Sequence, residues 1–289
     1  MYVEPPSYVA GLPTPGRALV MGVLNVTPDS FSDGGRWFDH ERAVKHARQL
    51  VADGADLVDV GGESTRPGAT RPTAEEELDR VMPVVSALAA AGTLLSIDTM
   101  RAEVASAAVA AGAVLVNDVS GGRADPDMFS AVAESGAAYV LMHWRAHSAT
   151  MQSRTEYDDV VADVSRELLD QLGLATAAGI PPERIALDPG IGFSKTADQN
   201  WQVLTRMEEF HALGRPLLIA TSRKRFLGVL LADPSGELRP PDQRDDGTTA
   251  TSALAAAAGA WCIRVHSVRP TVDAIRVANR WARESSVDG

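Results

Sequence analysis

The chain has 289 residues, 45% of them hydrophobic, which is enough to bury the core of one large α/β domain. Its formal net charge of −11 argues against a nucleic-acid binder or a protein held on an anionic membrane, both of which favour basic patches. A small anionic ligand stays compatible, because local cations can override the global sign.

In chain order, short apolar runs alternate with long amphipathic segments, the pattern of parallel strands joined by helices. Strands are predicted at 19–25, 57–62, 94–98, 114–118, 138–143, 185–189, 216–221 and 261–266. Helices are predicted at 41–52, 74–91, 101–111, 127–134, 157–178 and 198–213, each followed by a glycine suited to a left-handed cap: Gly54, Gly92, Gly112, Gly136, Gly179 and Gly214. Between the last two strands, 223–231 and 248–258 read as two further helices separated by an exposed, proline-bearing insertion. Eight such units predict a TIM-type (β/α)8 barrel over residues 17–284, with 1–16 as a flexible lead-in and 285–289 as a tail. The rival is a doubly wound sheet, which would usually show a glycine-rich phosphate turn after its first strand; none follows Val23.

The single cysteine, Cys262, sits in an apolar run and reads as a small buried hydrophobe, natural in a reducing compartment. No apolar run reaches the length of about 18 residues that a membrane span needs, and the first residues lack the pattern of a secretion signal. A cytoplasmic protein is expected.

Residues 24–35 form a polar, glycine-terminated loop directly after an apolar run. A plain strand-to-helix connection takes about 2–6 residues, so the extra length points to function at the C-terminal end of a strand. Polar residues gather at the other strand ends too: Glu63, Asp98, Asn117 with Asp118, His143, Asp188, Ser222 followed by Arg223 and Lys224, and Arg264 with His266. In a barrel these ends share one mouth, although each residue singly could equally cap the next helix.

Asp98, Asn117 and Asp188 suit a flat heterocycle with an amidine-like edge, whose two parallel N–H groups a carboxylate accepts as it does those of guanidinium. No tight His/Cys/Asp spacing supports an all-protein metal cage. Arg66, Lys224, Arg225, Arg264 and His266 form a cationic set, and closure of the eighth strand on the first predicts Arg264 and His266 beside Asn25 as a phosphate site. Arg223 and Arg225 read equally well as the salt-bridged or solvated start of a helix. Arg264, inside an apolar strand, demands a buried partner.

Asn25-Val26-Thr27-Pro28-Asp29-Ser30-Phe31-Ser32-Asp33-Gly34 resembles the first-loop motif of dihydropteroate synthases. Further motifs agree in order: Asp59-Val60-Gly61-Gly62-Glu63-Ser64-Thr65-Arg66-Pro67-Gly68, Ser96-Ile97-Asp98-Thr99, Asn117-Asp118-Val119-Ser120-Gly121, Leu187-Asp188-Pro189-Gly190-Ile191-Gly192-Phe193, Ser222-Arg223-Lys224-Arg225-Phe226 and Arg264-Val265-His266. The resemblance implies a barrel enzyme that joins a dihydropterin methyl pyrophosphate to p-aminobenzoate with release of pyrophosphate. It implies a pterin pocket of Asp98, Asn117, Met142, Asp188 and Lys224. Pyrophosphate contacts would come from Asn25, Arg66, Arg264 and His266, with Mg2+ at Asn25. A p-aminobenzoate border would comprise Phe31, Thr65, Arg66, Pro67, Phe193, Lys224 and Arg225. By the same resemblance the chemistry falls to Asp33, Lys224, Arg264 and His266, two loops close over the substrates, and the protein is a homodimer.

Two departures are visible: Ala220 stands where the family commonly has glycine, and Ser267 where an acidic residue is common. A pterin-binding methyltransferase on the same barrel is the nearest alternative, but it would not need the Phe31 loop or the Ser222-Arg223-Lys224 run with Arg264 and His266. A non-enzymatic paralogue is the other.

Overall fold

The structure is a computed structural model that describes residues 8–27, 35–63, 71–145 and 155–285. Its strands are β1 (Leu19–Asn25), β2 (Leu57–Gly61), β3 (Leu95–Asp98), β4 (Leu115–Asp118), β5 (Ala138–Met142), β6 (Ile185–Asp188), β7 (Leu218–Ile219) and β8 (Cys262–Val265). The helices are α1 (Gly35–Ala52), α2 (Ala74–Ala90), α3 (Ala102–Ala110), α4 (Met128–Ser135), α5 (Val160–Ala177), α6 (Ala197–Thr205), α7 (Met207–His211), α8 (Arg225–Leu230), α9 (Asp245–Ala257) and α10 (Val268–Ser285).

Hydrogen-bonded neighbours run β6-β5-β4-β3-β2-β1-β8-β7, every pair parallel, and a bridge between Leu187 and Leu217 joins the two ends. The sheet is therefore a closed barrel, and the doubly wound alternative falls. All six predicted cap glycines have positive φ. That freedom lets each helix turn at once into the next strand without the Cβ strain another residue would suffer.

Closure divides the strand residues by parity, because successive side chains point to opposite faces. Leu19, Met21, Leu57, Leu115, Ala138, Val140, Ala186, Leu218, Ala220 and Cys262 fill the interior. The alternate set, including Val20, Val58, Val60, Ile97, Val116, Leu141 and Ile263, packs outward under the helices. Burial on both faces is why the strands read as nearly unbroken apolar runs.

Four differences from expectation bear on the fold. From Tyr8 onward the stretch read as a flexible lead-in belongs to the barrel floor, with Val9 and Leu12 buried in the interior cluster and the Ala10 N–H donating to the Glu183 carbonyl at 2.8 Å. The segment 198–213 is two helices, broken where Arg206 leaves helical geometry and pairs with both Asp159 and Glu209. Helix α1 starts at Gly35, six residues before the predicted start, and α10, outside the predicted set, follows the last strand.

Candidate active site

The inward parity continues past the apolar layers to the barrel mouth, and there it changes chemistry. Asp59 and Gly61 of β2, Asp98 of β3, Asn117 of β4, Met142 of β5, Asp188 of β6 and Arg264 of β8 share the interior face with the core residues below them. Strand register sets Asp98 beside Asn117 and Met142 beside Asp188.

A buried charge network crosses this mouth. Arg264 Nε donates to Asp59 Oδ2 at 2.6 Å, and its Nη2 donates to Asp98 Oδ2 at 2.6 Å. Asp59 also accepts from Asn117 Nδ2 at 2.9 Å. A carboxylate can only accept, so the Asn117 amide must turn its nitrogen to Asp59, which leaves its oxygen as the acceptor for a ligand. Burial raises the Asp98 carboxyl to about 7, against the pull of Arg264. The second oxygen of Asp59 is buried with no partner among the described residues.

Opposite this network, the turn after β6 carries the other half of the site. Asp188 Oδ1 accepts the Gly190 N–H at 2.7 Å, which fixes the carboxylate plane. Burial pushes the Asp188 carboxyl up, with Lys224 as the largest offset. Lys224 Nζ donates to the Ile191 carbonyl and sits 4.8 Å from the Phe193 ring centroid; burial draws its pKa down to about 8. The turn needs glycine: at Gly190 (φ +70°) a Cβ would stand 2.4 Å from the His143 carbonyl oxygen, and at Gly192 (φ +81°) 2.8 Å from Lys224 Cδ. Met100, Val119, Met142 and Phe193 form an apolar collar above. Such a pocket can hold a flat ring between apolar faces, take its donor edge at Asp188 and meet an acceptor edge at Lys224.

The family profile described as "Pterin binding enzyme" matches residues 21–266. A dihydropteroate synthase of Mycobacterium leprae is 55% identical over 91% of this chain and 93% of its own length. The chain belongs to the dihydropteroate synthase family. Solved structures agree: the Xanthomonas albilineans dihydropteroate synthase with 4-aminobenzoic acid is 45% identical with a TM-score of 0.87, covering 96% of this chain and 98% of that one. The same bacterial synthase in complex with 7,8-dihydropteroate is 43% identical with a TM-score of 0.83, covering 94% and 97%.

Within this family member the predicted residues separate into groups. Asp98, Asn117, Met142, Asp188, Lys224 and Phe193 converge as described. His266 accepts or donates at Nδ1 to Ser222 Oγ, 2.8 Å away, so the ends of β7 and β8 are joined at the mouth. Asn25 ends β1, half-buried, opposite Gly61. Arg264 does not stand beside it: β8 register sets Met21 opposite Arg264, and the guanidinium is committed to Asp59 and Asp98. Arg225 is exposed at the start of α8. Arg223 forms a bidentate pair with Asp245, 2.8 Å on both arms, as the salt-bridged reading had it. Phe31, Asp33, Thr65, Arg66 and Pro67 lie outside the described residues.

Two strand-end residues gathered by sequence belong elsewhere, because they have outward parity. Asp118 accepts from the Ser120 N–H and hydroxyl, the Gly122 N–H and the Tyr139 hydroxyl, and so shapes the turn after β4. His143 faces α5, where its Nε2 lies 2.9 Å from Glu167. Glu63 pairs with Arg71 and Arg101 at the edge of the mouth. Sequence reasoning missed Asp59 as a site residue. The signal was there: an acid inside Leu57-Val58-Asp59-Val60, the same argument that singled out Arg264.

His143 also gives the barrel an acid-sensitive point. Burial and the ammonium of Lys195 lower its pKa to about 3, from an ordinary 6.5, while Glu167 opposes them. Between these values the unfolded chain binds the proton and the folded one does not. The stabilisation is therefore complete above pH 6.5 and drains as pH falls towards 3, at up to about 1.4 kcal/mol per pH unit. The buried Asp98 and Asp188 carboxyls titrate with the opposite sign, so the contribution must be read by difference. Unfolding midpoints in urea from pH 7 to 4 are expected to fall more steeply for wild type than for His143→Gln; parallel curves reject the assignment.

Proposed function

We propose that this enzyme condenses 6-hydroxymethyl-7,8-dihydropterin pyrophosphate with p-aminobenzoate, giving 7,8-dihydropteroate and pyrophosphate, as a step of folate biosynthesis. The observation that supports the reading is the turn after β6, whose Gly190 N–H holds the Asp188 carboxylate and whose Ile191 carbonyl and Phe193 ring meet Lys224 from the start of α8. In it Asp188 takes the 2-amino and N3 edge of the pterin, Asp98, Asn117 and Met142 complete the pocket, and Lys224 meets the other polar edge. Phe193, Arg225 and the loop residues Phe31, Thr65, Arg66 and Pro67 border p-aminobenzoate. Asn25, Arg66, Arg264 and His266 serve the pyrophosphate.

In the reaction the pterin methylene–oxygen bond breaks, the amine nitrogen bonds to the methylene and gives up a proton, and pyrophosphate departs. An aromatic amine is neutral at pH 7 and already nucleophilic, so the protein's task is to stabilise the leaving group, orient the partners and exclude water. The loop bearing Phe31 and Asp33 supplies the exclusion. Among the described residues no group of three or more His, Cys, Asp or Glu converges as a metal cage. The single amide oxygen that Asn25 offers fits a Mg2+ held mainly by pyrophosphate oxygens and water, and such an ion would neutralise departing charge.

A homodimer through barrel helices is supported by the exposed Leu254, Val277 and Trp281 of α9 and α10. A cytoplasmic setting is supported by the buried lone Cys262; among the described residues no helix is long and apolar enough to cross a membrane. Purified chain with both substrates and Mg2+ is expected to release pyrophosphate and form the coupled pterin in equal amounts. Pyrophosphate without coupled product, or neither, refutes the reading.

A further inference from the structure

We propose that Lys195, which no strand-end pattern singles out, is a positioning residue that locks the pterin-side carboxylate and the p-aminobenzoate-side ring into one rigid turn. This rests on the condensation proposed above. Lys195 is 3% exposed, and its Nζ lies 3.1 Å from the Gly190 carbonyl, 3.2 Å from the Phe193 carbonyl and 3.1 Å from His143 Nδ1. Those three acceptors match the three protons of the ammonium form, against which burial works by drawing the pKa of Lys195 down to about 7. With Lys195 protonated, His143 Nδ1 accepts from it, and Nε2 then carries the hydrogen and donates to Glu167.

The turn that Lys195 grips has two working ends. At Gly190 the N–H fixes Asp188, while the carbonyl accepts from both Lys195 and the Phe193 N–H, at 3.1 Å each. At Phe193 the carbonyl is tied to Lys195 and the ring faces Lys224. Lys224, on the ligand side, holds the intervening Ile191 carbonyl. One turn thus lies between two lysines, one facing the ligand and one sealed beneath it.

The backbone shows why a clamp is needed. Gly190, Gly192 and Ser194 all have positive φ (70°, 81° and 47°), and the last is a non-glycine residue in a region that L side chains adopt only under strain. Outside the turn, the Tyr157 hydroxyl donates to the Ser194 carbonyl at 2.9 Å and Arg145 stacks 3.8 Å from the Tyr157 ring centroid. Without Lys195 the Gly190 and Phe193 carbonyls would lose their shared buried donor, and the distance between the two half-sites would no longer be set.

The test is Lys195→Met, which keeps most of the unbranched side chain and removes the donors, with Tyr157→Phe as a second variant that loosens the turn from outside. Steady-state constants for each substrate are measured on folded protein, beside binding of a 6-hydroxymethylpterin probe by calorimetry. The expected result for Lys195→Met is a KM for p-aminobenzoate raised roughly ten- to hundredfold and weaker pterin binding. Tyr157→Phe is expected to shift the same constants in the same direction by less. A merely structural lysine would lower the unfolding midpoint and leave KM and pterin affinity at wild-type values, which overturns the proposal. If Lys195→Met does not fold, unchanged constants in Tyr157→Phe overturn it and a raised KM supports it. Absence of turnover in wild type would instead refute the condensation itself.

Discussion

Asp188→Asn is expected to weaken binding of a dihydropterin by roughly a hundredfold or more while leaving the barrel folded. The reason lies in the Gly190 N–H, which claims one side-chain oxygen of Asp188 at 2.7 Å. An asparagine would keep its only oxygen there and place its NH2 where the ligand's N–H donors arrive. Donor would then face donor, and one of two parallel charge-assisted bonds would become a repulsion. Stability should hold or rise, because burial already works against the Asp188 charge. Calorimetry with a pterin and a thermal melt read the two effects separately. Unchanged affinity removes Asp188 from the ring-binding role.

Arg264→Ala should act on both turnover and stability, and the two effects can be taken apart. Arg264, which joins Asp59 of β2 and Asp98 of β3 at the mouth, is assigned to the departing pyrophosphate, and its loss is expected to cut turnover by roughly a thousandfold with a much smaller change in p-aminobenzoate KM. The same change strands Asp59, which is fully buried, and Asp98 without their guanidinium. Breaking a buried pair from one side costs about 3–5 kcal/mol. Adding Asp59→Asn removes one stranded charge, so the double variant should regain part of the unfolding free energy and none of the turnover. Loss of p-aminobenzoate affinity with turnover preserved would reject the leaving-group role.

Much of the site was legible in the chain because barrel strands carry their chemistry at a predictable end. Asp98, Asn117 and Asp188 each close a short apolar run, and the structure finds all three facing one mouth. The same rule misplaced Asp118 and His143. Both also close apolar runs, yet each is one residue out of step with the inward set, so one shapes a turn and the other reaches α5. Counting by two from a core residue such as Val140 would have told Met142 from His143. Asp59 was passed over because it stands inside its strand and not at the end.

Alternation, glycine spacing and the order of the motifs, all local properties, were enough to establish by sequence alone an eight-stranded α/β barrel of the dihydropteroate synthase family and the residue types of its pocket. Pairing across the barrel was decided only by the tertiary structure. Arg264 meets Asp59 and Asp98 across 205 and 166 residues of chain, and Lys195 meets His143 across 52. Those distances collapse through strand register and closure. A shift of one residue would turn every inward side chain outward, so the position of a charge along the chain cannot by itself name its partner.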